Sequence, residues 1–146
     1  MADEHEEGAM LDVRLDDPVR LLIQGPPVEA PGLMTLRDAA TRLCDNWMGA
    51  LLINGYSGIE GILTERDILW AVAEGADMHE ERIRSYMTDE LEIVDADTSV
   101  RATGEVMLRD EIRHVLVRDD EGTIIGVVSI RDILAVALMA ETEPAL

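Results

Sequence analysis

The sequence predicts an α/β (α+β) fold built from two pseudo-symmetric copies of one β-α-β-β-α unit, packed together as one module. The main observation is an internal repeat: the octapeptide GILTERDI at 61–68 returns 65 positions later as GVVSIRDI at 126–133. A second observation is that apolar runs and helical periodicity follow the same order in both halves of the chain. Internal repeats of this kind indicate supersecondary units that stack to share a core.

The duplication extends well upstream of the octapeptide, at a spacing of 64 residues. Segment 18–23 aligns with 82–87, and segment 50–53 aligns with 114–117. A unit of about 60 residues is marginal by itself, so the two units are expected to share a core. The predicted organisation is a disordered acidic tail at 1–12, a first repeat at 13–78, a second repeat at 79–140 and a C-terminal tail at 141–146.

In the first repeat, a Gly-Pro-Pro break is followed by a predicted short strand at 28–30. Apolar residues then recur on one side of a helix that begins after Thr35, its expected N-cap, and continues to Trp47. Cys44 falls within this helix, and we predict a packed core thiol there because free cysteines are commonly buried.

A hairpin follows, with strands at 50–53 and 59–63 on either side of a glycine-containing turn. The helix after Thr64 is expected to end near Gly75. The second repeat has the same order: a strand at 91–94, a helix at 100–109, strands at 115–117 and 123–128, and a helix from 130 to about 140. Between the repeats, segment 77–87 is predicted to form a short helix with Ile83 and Met87 facing inward.

The charge excludes several classes of partner. The chain has 31 acidic residues against 12 basic ones, all of them arginine, and a formal net charge of -19. Binding to nucleic acid or to anionic membranes requires dense positive charge, so we expect neither. No apolar run reaches the roughly 20 residues of a membrane span, and the first residues lack a signal peptide, so the expected location is cytoplasmic.

A hydroxyl and a carboxylate recur at the start of a helix in both repeats, as Thr64-x-x-Asp67 and Ser129-x-x-Asp132. One interpretation is structural: this spacing is that of a capping box. The other is functional, because a helix N-terminus attracts phosphate and a nearby carboxylate can accept hydrogen bonds from the two hydroxyls of a ribose. The pattern alone leaves both open.

At this point the chain resembles a tandem pair of CBS domains (cystathionine beta-synthase domains, together called a Bateman module), as a stand-alone CBS-domain protein. The resemblance covers about 17–140. It is carried by the two octapeptides, the strand and acidic turn VLVRDDEG at 115–122, and Tyr86-Met87-Thr88. It implies a regulatory module, without catalytic activity, that binds AMP, ADP, ATP or S-adenosylmethionine in clefts between the repeats and often forms homodimers.

The resemblance also implies the ligand-binding residues. The hydroxyls of Thr64 and Ser129 would approach phosphate or ribose, and Asp67 and Asp132 would hold the ribose hydroxyls. Each pair would be completed by the other repeat and by the arginine of its own motif. The Asp67 site would then include Arg66, Glu92, Ile112, Arg113 and His114, and the Asp132 site would include Arg131, Val28, Met48 and Gly49.

The two implied sites differ in charge. Arg113 and His114 would neutralise a phosphate beside Thr64, so a nucleotide is expected to prefer the Asp67 site. The second site would then be empty or hold a less anionic ligand. The alternative for Arg113 and His114 is a solvated hairpin edge.

Other functions have less support in the sequence. The three histidines, His5, His79 and His114, are too dispersed for a zinc site, and no loop has calcium-ligand spacing, so no metal site is predicted. No catalytic or catalytic-cofactor motif is present, so we do not expect an enzyme. The alternative function is a protein-interaction adaptor with vestigial ligand clefts, whose partner would be a regulated enzyme or a transporter.

We expect the stability of the protein to depend on salt. Screening by molar KCl weakens repulsion among its 31 carboxylates, so the free energy of unfolding should rise with KCl concentration. Urea unfolding at several KCl concentrations measures this, with sucrose as a non-ionic control. Undiminished stability in dilute buffer would contradict salt adaptation and favour a coding bias toward arginine combined with an acidic, soluble surface.

Overall fold

The computed structural model describes residues 12–141. The predicted tails at 1–12 and 141–146 therefore lie outside the described residues except for residue 12 and for Glu141, which ends the last helix. The strands are β1 (Glu29–Pro31), β2 (Ala50–Gly55), β3 (Gly58–Thr64), β4 (Ile93–Asp95), β5 (His114–Arg118) and β6 (Ile124–Ser129). The α-helices are α1 (Leu36–Asp45), α2 (Glu65–Ala73), α3 (Val100–Asp110) and α4 (Ile130–Glu141). Within 12–141, no helix combines the length and apolar character that a membrane span requires. The predicted β-α-β-β-α order is confirmed in both repeats.

The chain divides into two compact units whose boundaries differ from those of the sequence repeats. The middle unit consists of 27–91, and the terminal unit consists of the described residues before 27 and after 91. The residues that precede β1 therefore pack with the second repeat. Residues 79–91, at the start of the second repeat, pack in the unit that contains most of the first repeat.

The middle unit contains a three-stranded sheet in the order β1-β2-β3. β1 and β2 are parallel and are connected by α1, whereas β2 and β3 form an antiparallel hairpin. Leu51, Ile53 and Leu63 from the sheet pack with Leu36 and Leu43 from α1 to form the core of this unit. Thr35 caps α1 as predicted, because its hydroxyl accepts the backbone N–H of Asp38.

The terminal unit repeats this topology, with sheet order β4-β5-β6. β4 and β5 are parallel and are connected by α3, and β5 and β6 are antiparallel. Its core is rich in valine, including Val94, Val115, Val117 and Val128 on the sheet, with Met107 from α3. Aliphatic side chains thus fill both cores in a chain that has no phenylalanine.

A short 3-10 helix lies near the start of each repeat and packs in the unit that contains the sheet of the other repeat. In the terminal unit, the backbone N–H of Val19, in the 3-10 helix Val19–Leu22, donates to the carbonyl of Thr98 at 2.7 Å. In the middle unit, the N–H of Ile83, in the 3-10 helix Ile83–Ser85, donates to the carbonyl of Met34 at 2.9 Å. Ile83 is buried as predicted, but the connecting segment forms only this short 3-10 helix and not a longer α-helix.

Glycine on each sheet allows these segments to approach closely. A Cβ atom at Gly61 would lie 2.6 Å from Met87 Sδ and 2.9 Å from the backbone carbonyl oxygen of Thr88. A Cβ atom at Gly126, the equivalent residue, would lie 2.7 Å from Ile23 Cδ1. The glycine that begins each copy of the octapeptide is therefore required by packing.

Two side chains expected on the buried face of α1 are exposed. The prediction of a packed thiol at Cys44 is wrong: Cys44 follows the buried Leu43 around the helix and faces away from the core. Trp47 is 96% exposed because α1 ends at Asp45 and Trp47 adopts a left-handed conformation, with φ of 52°. Glu111, 64 residues later, has φ of 55° after α3, so this left-handed helix ending belongs to both repeats.

We expect Gly61→Ala to destabilise the protein by about 1–3 kcal/mol, the usual range for an overpacked core. The reason is that the added methyl group would meet a backbone carbonyl that cannot move independently of the chain. Gly126→Ala should be milder because only the Ile23 side chain must shift. Urea unfolding measures both, with Gly25→Ala as control, since a Cβ atom there meets nothing within 4 Å. Equal stability of the Gly61→Ala and Gly25→Ala proteins would contradict this account.

Candidate functional site

The junction of β3 and α2 in the middle unit forms a closed hydroxyl–carboxylate pair. Asp67 Oδ2 accepts hydrogen bonds from the backbone N–H of Thr64 at 2.8 Å and from Thr64 Oγ1 at 3.2 Å. Thr64 Oγ1 in turn accepts the backbone N–H of Asp67 at 3.4 Å. The structural interpretation of this motif, a capping box, is thus confirmed.

The junction of β6 and α4 in the terminal unit has the same geometry. Asp132 Oδ2 accepts from the backbone N–H of Ser129 at 2.8 Å and from Ser129 Oγ at 3.1 Å. The N–H of Asp132 donates back to Ser129 Oγ at 3.4 Å. In both motifs one carboxylate oxygen, Oδ2, is used by the helix cap, and the second oxygen, Oδ1, takes no part in the cap.

A third Thr-x-x-Asp sequence shows that the spacing alone does not produce this arrangement. Thr35 and Asp38 begin α1 with the same spacing, and the N–H of Asp38 donates to Thr35 Oγ1 at 3.1 Å. Among the described contacts, the Asp38 carboxylate accepts no hydrogen bond from the backbone N–H of Thr35. The two repeated motifs are therefore distinguished by the fully reciprocal pair.

Three other predicted site residues belong to the middle unit, and one of them contacts the start of α2. Gly49, between α1 and β2, accepts at its carbonyl the N–H of Glu65, the first residue of α2, at 3.1 Å. Val28, just before β1, accepts the N–H of Leu52 at 3.0 Å. Met48 is partly buried against the core of this unit. The structure thus brings the α1–β2 junction against the start of α2.

The terminal unit brings together the equivalent residues. The carbonyl of Arg113 accepts the N–H of Ile130, the first residue of α4, at 2.8 Å, and the carbonyl of Glu92 accepts the N–H of Leu116 at 2.9 Å. His114 is paired with Ser129 across the β5–β6 ladder, which places the two side chains on the same face of the sheet. Ile112 packs against the core of this unit. The resemblance groups these residues with Asp67, and it groups Val28, Met48 and Gly49 with Asp132. Each grouping joins residues of different compact units, and both stay predictions.

The cationic groups of the site differ from most other arginines of the chain. Arg66, Arg113 and Arg131 are exposed, and none has an ion-pair partner among residues 12–141. By contrast, Arg20, Arg84, Arg101, Arg109 and Arg118 each pair with a carboxylate. An unpaired guanidinium beside a helix N-terminus is available to a phosphate group.

Glu92 already has a cationic neighbour. Arg109 Nη2 lies 3.7 Å from Glu92 Oε1, and Arg109 also binds Asp110 through two hydrogen bonds of 3.0 Å. The hydrogen bond with Asp110 raises the pKa of Arg109, and the same bond lowers the pKa of the Asp110 carboxyl. Surface ion pairs of this kind contribute little to stability, so we assign them to local charge balance beside the β4 strand.

Thr88 is not among the site residues predicted from the sequence. Its Oγ1 lies 3.4 Å from Asp67 Oδ1, the carboxylate oxygen that the helix cap leaves open. Thr88 belongs to the YMT segment that was noted as part of the resemblance, and it aligns with Gln24 at the spacing of 64. Membership of the YMT segment was the available signal, but the contact itself depends on the close approach of segment 87–88 to β3.

The arrangement can recognise hydroxyl groups and a phosphate. Each motif presents a carboxylate oxygen at the end of a strand, next to a helix N-terminus and an exposed arginine. Among the described residues, no group of three or more His, Cys, Asp or Glu side chains is placed to hold a metal ion.

Several known proteins are similar to this chain in sequence or in structure. A model of the CBS domain matches residues 83–138. A 17.7 kDa protein of Acidianus ambivalens is 33% identical over 110 residues, which are 75% of this chain and 66% of that protein. This chain covers between 55% and 66% of the length of the first three curated relatives.

Two solved structures are similar over nearly their whole length. The CBS domain protein PAE2072 from Pyrobaculum aerophilum, complexed with AMP, is 31% identical with a TM-score of 0.74, and the match covers 86% of this chain and 99% of that one. The CBS domain pair of protein MJ0100, in complex with 5′-methylthioadenosine and S-adenosyl-L-methionine, is 26% identical with a TM-score of 0.73 and coverages of 86% and 98%. With its duplicated motif, its two three-stranded sheets and these similarities, the chain belongs to the CBS domain family.

Proposed function

We propose that this protein is a regulatory, non-catalytic module that senses an adenosine-containing ligand, namely AMP, ADP, ATP or S-adenosylmethionine. The observation that carries the proposal is the identical hydroxyl–carboxylate geometry at the start of α2 and α4. Support comes from the two similar proteins described above, one complexed with AMP and the other with 5′-methylthioadenosine and S-adenosyl-L-methionine.

The chemistry of the ligand follows from the groups that each motif offers. Asp67 and Asp132 accept the hydroxyls of a ribose through the oxygen that the cap leaves open, and charge-assisted bonds of this kind are among the stronger hydrogen bonds. The unpaired N–H groups of the helix N-terminus and the arginine of the motif, Arg66 or Arg131, favour a phosphate or a carboxylate of the ligand.

The net charge of the protein acts on the choice of ligand. A formal charge of -19 creates a field that opposes ATP more than AMP or the sulfonium S-adenosylmethionine. Salt screens much of this effect. We therefore propose AMP and S-adenosylmethionine ahead of ATP as the ligands to test first.

We expect Asp67→Asn and Asp132→Asn to weaken binding of the ligand, because the amide removes the charge that strengthens the hydrogen bonds to ribose. Thermal unfolding in molar KCl, with AMP, ADP, ATP, S-adenosylmethionine and NAD, measures this. A ligand at 100 times its dissociation constant stabilises by about 2.7 kcal/mol, which raises the melting temperature by several degrees.

Asp38→Asn is the matched control for these two variants. Asp38 occupies the same position after the N-cap of α1 but makes no return bond to Thr35, so its replacement should leave the ligand-dependent shift intact. The absence of a shift with every ligand would contradict the proposal and favour the adaptor function.

We further propose that the protein forms a homodimer through α2. Leu69, Trp70 and Val72 on this helix are 68%, 59% and 56% exposed, so a row of large apolar side chains faces outward. A contiguous exposed apolar patch commonly marks a protein interface.

Replacing Trp70 with Glu should convert the dimer to a monomer, because the charge would have to be buried in an apolar interface. Sedimentation velocity measures the mass of each form. Trp47→Glu is the control, since Trp47 is exposed but lies outside α2. A monomeric wild-type protein, or a Trp70→Glu protein that remains dimeric, would contradict this interface.

A further inference from the structure

The two repeated carboxylates differ in one contact. Asp132 Oδ2 is used by the helix cap, and no described residue donates a hydrogen bond to Asp132 Oδ1. Asp67 Oδ2 is used in the same way, but Asp67 Oδ1 also receives the hydroxyl of Thr88 at 3.4 Å. Both carboxylates are partly buried, so the difference lies in hydrogen bonding and not in exposure.

The position of Thr88 is fixed by its backbone. Its N–H donates to the carbonyl of Ile62 at 2.9 Å, and its carbonyl accepts the N–H of Ile62 at 2.9 Å, which forms an isolated antiparallel bridge with β3. Met87, the preceding residue, packs on Gly61. The Thr88 side chain therefore stays beside Asp67 while its hydroxyl remains able to rotate.

The equivalent residue in the other repeat makes no such contact. Gln24 aligns with Thr88, is exposed, and makes no hydrogen bond to Asp132 among the contacts of the described residues. The equivalent of Ile62 on β6 is Val127, and the bridge between Ile62 and Thr88 has no counterpart between Val127 and Gln24 in the part of the chain described. Among residues 12–141, the middle unit alone thus has a hydroxyl next to the open carboxylate oxygen.

The number of acceptor positions then decides what each carboxylate can bind. A carboxylate has about four lone-pair positions. At Asp132 two are used by Ser129, which leaves two for a ligand. At Asp67 two are used by Thr64 and a third by Thr88, which leaves one. A ribose with free 2′ and 3′ hydroxyls has two donors, so Asp132 can accept both and Asp67 can accept only one while Thr88 keeps its bond.

We infer that Thr88 is a specificity-determining residue, because its hydroxyl makes the two motifs differ in which ribose hydroxyls they require. This inference rests on the proposed function. The Asp132 motif requires an intact vicinal diol, whereas the Asp67 motif tolerates adenosine-containing ligands in which one ribose hydroxyl is missing or esterified.

The test measures the ratio of the dissociation constants for 2′-deoxy-AMP and AMP by titration calorimetry in molar KCl. The full-length Asp132→Asn and Asp67→Asn proteins each retain one intact motif. We expect a ratio of roughly tenfold or more for the Asp132 motif, the loss typical of a hydrogen bond to a charged group, and a ratio below about threefold for the Asp67 motif.

Variants of Thr88 then test whether its hydroxyl causes the difference in this ratio between the two motifs. In the Asp132→Asn protein, Thr88→Val should raise the ratio to about tenfold, because Asp67 regains a second acceptor position. Thr88→Ser keeps the hydroxyl and should leave the ratio low, which separates an effect of the hydroxyl from one of packing. In the Asp67→Asn protein, Thr88→Val should change nothing.

Two kinds of result would overturn the inference. If AMP binds in both backgrounds and Thr88→Val leaves the ratio unchanged or lowers it, Thr88 does not compete with the ribose, and the proposed function survives without this inference. If neither nucleotide binds the wild-type protein or any variant, the proposed function fails and this inference fails with it.

Discussion

Each of the two sheets depends on a segment from the start of the other repeat of the sequence. The 3-10 helix at Val19–Leu22 attaches to the terminal unit, and the one at Ile83–Ser85 attaches to the middle unit. Gly126 and Gly61 provide the space in which Ile23 and Met87 lie on the sheets. Neither repeat therefore contains all of the residues that cover its own sheet, and a cut between residues 78 and 79 would leave both units incomplete.

The packing of Met87 on Gly61 also brings Thr88 beside Asp67. The stability of the middle unit and the proposed ligand recognition therefore depend on the same segment. The two oxygens of each motif's carboxylate have different surroundings, because Oδ2 closes the helix cap while Oδ1 lies outside it. A carboxylate that is fixed by its cap is already oriented for a ligand, which reduces the entropy lost on binding. The cap therefore does not compete with the proposed ribose binding. The two interpretations of the motif are compatible because they use different oxygens.

The acidic composition gives the unpaired arginines predicted for the site a particular role in the proposed binding. In a chain with 31 carboxylates, most exposed arginines would be expected to find an acidic neighbour. Arg66, Arg113 and Arg131 have none among the described residues. Since the overall field repels anions, we propose that the guanidinium groups at the starts of α2 and α4 and at the start of β5 supply a local attraction for a phosphate.

The sequence by itself determined the order of the elements and the two hydroxyl–carboxylate motifs, because these depend on periodicity, glycine and capping residues within short stretches of chain. It did not determine the end of α1, where a left-handed Trp47 exposes a side chain that helical spacing assigned to the core. It also did not determine which segment covers which sheet, or that Thr88 lies beside Asp67. These features needed the tertiary structure, because they arise from contacts between residues far apart in the chain whose pairing no local pattern specifies.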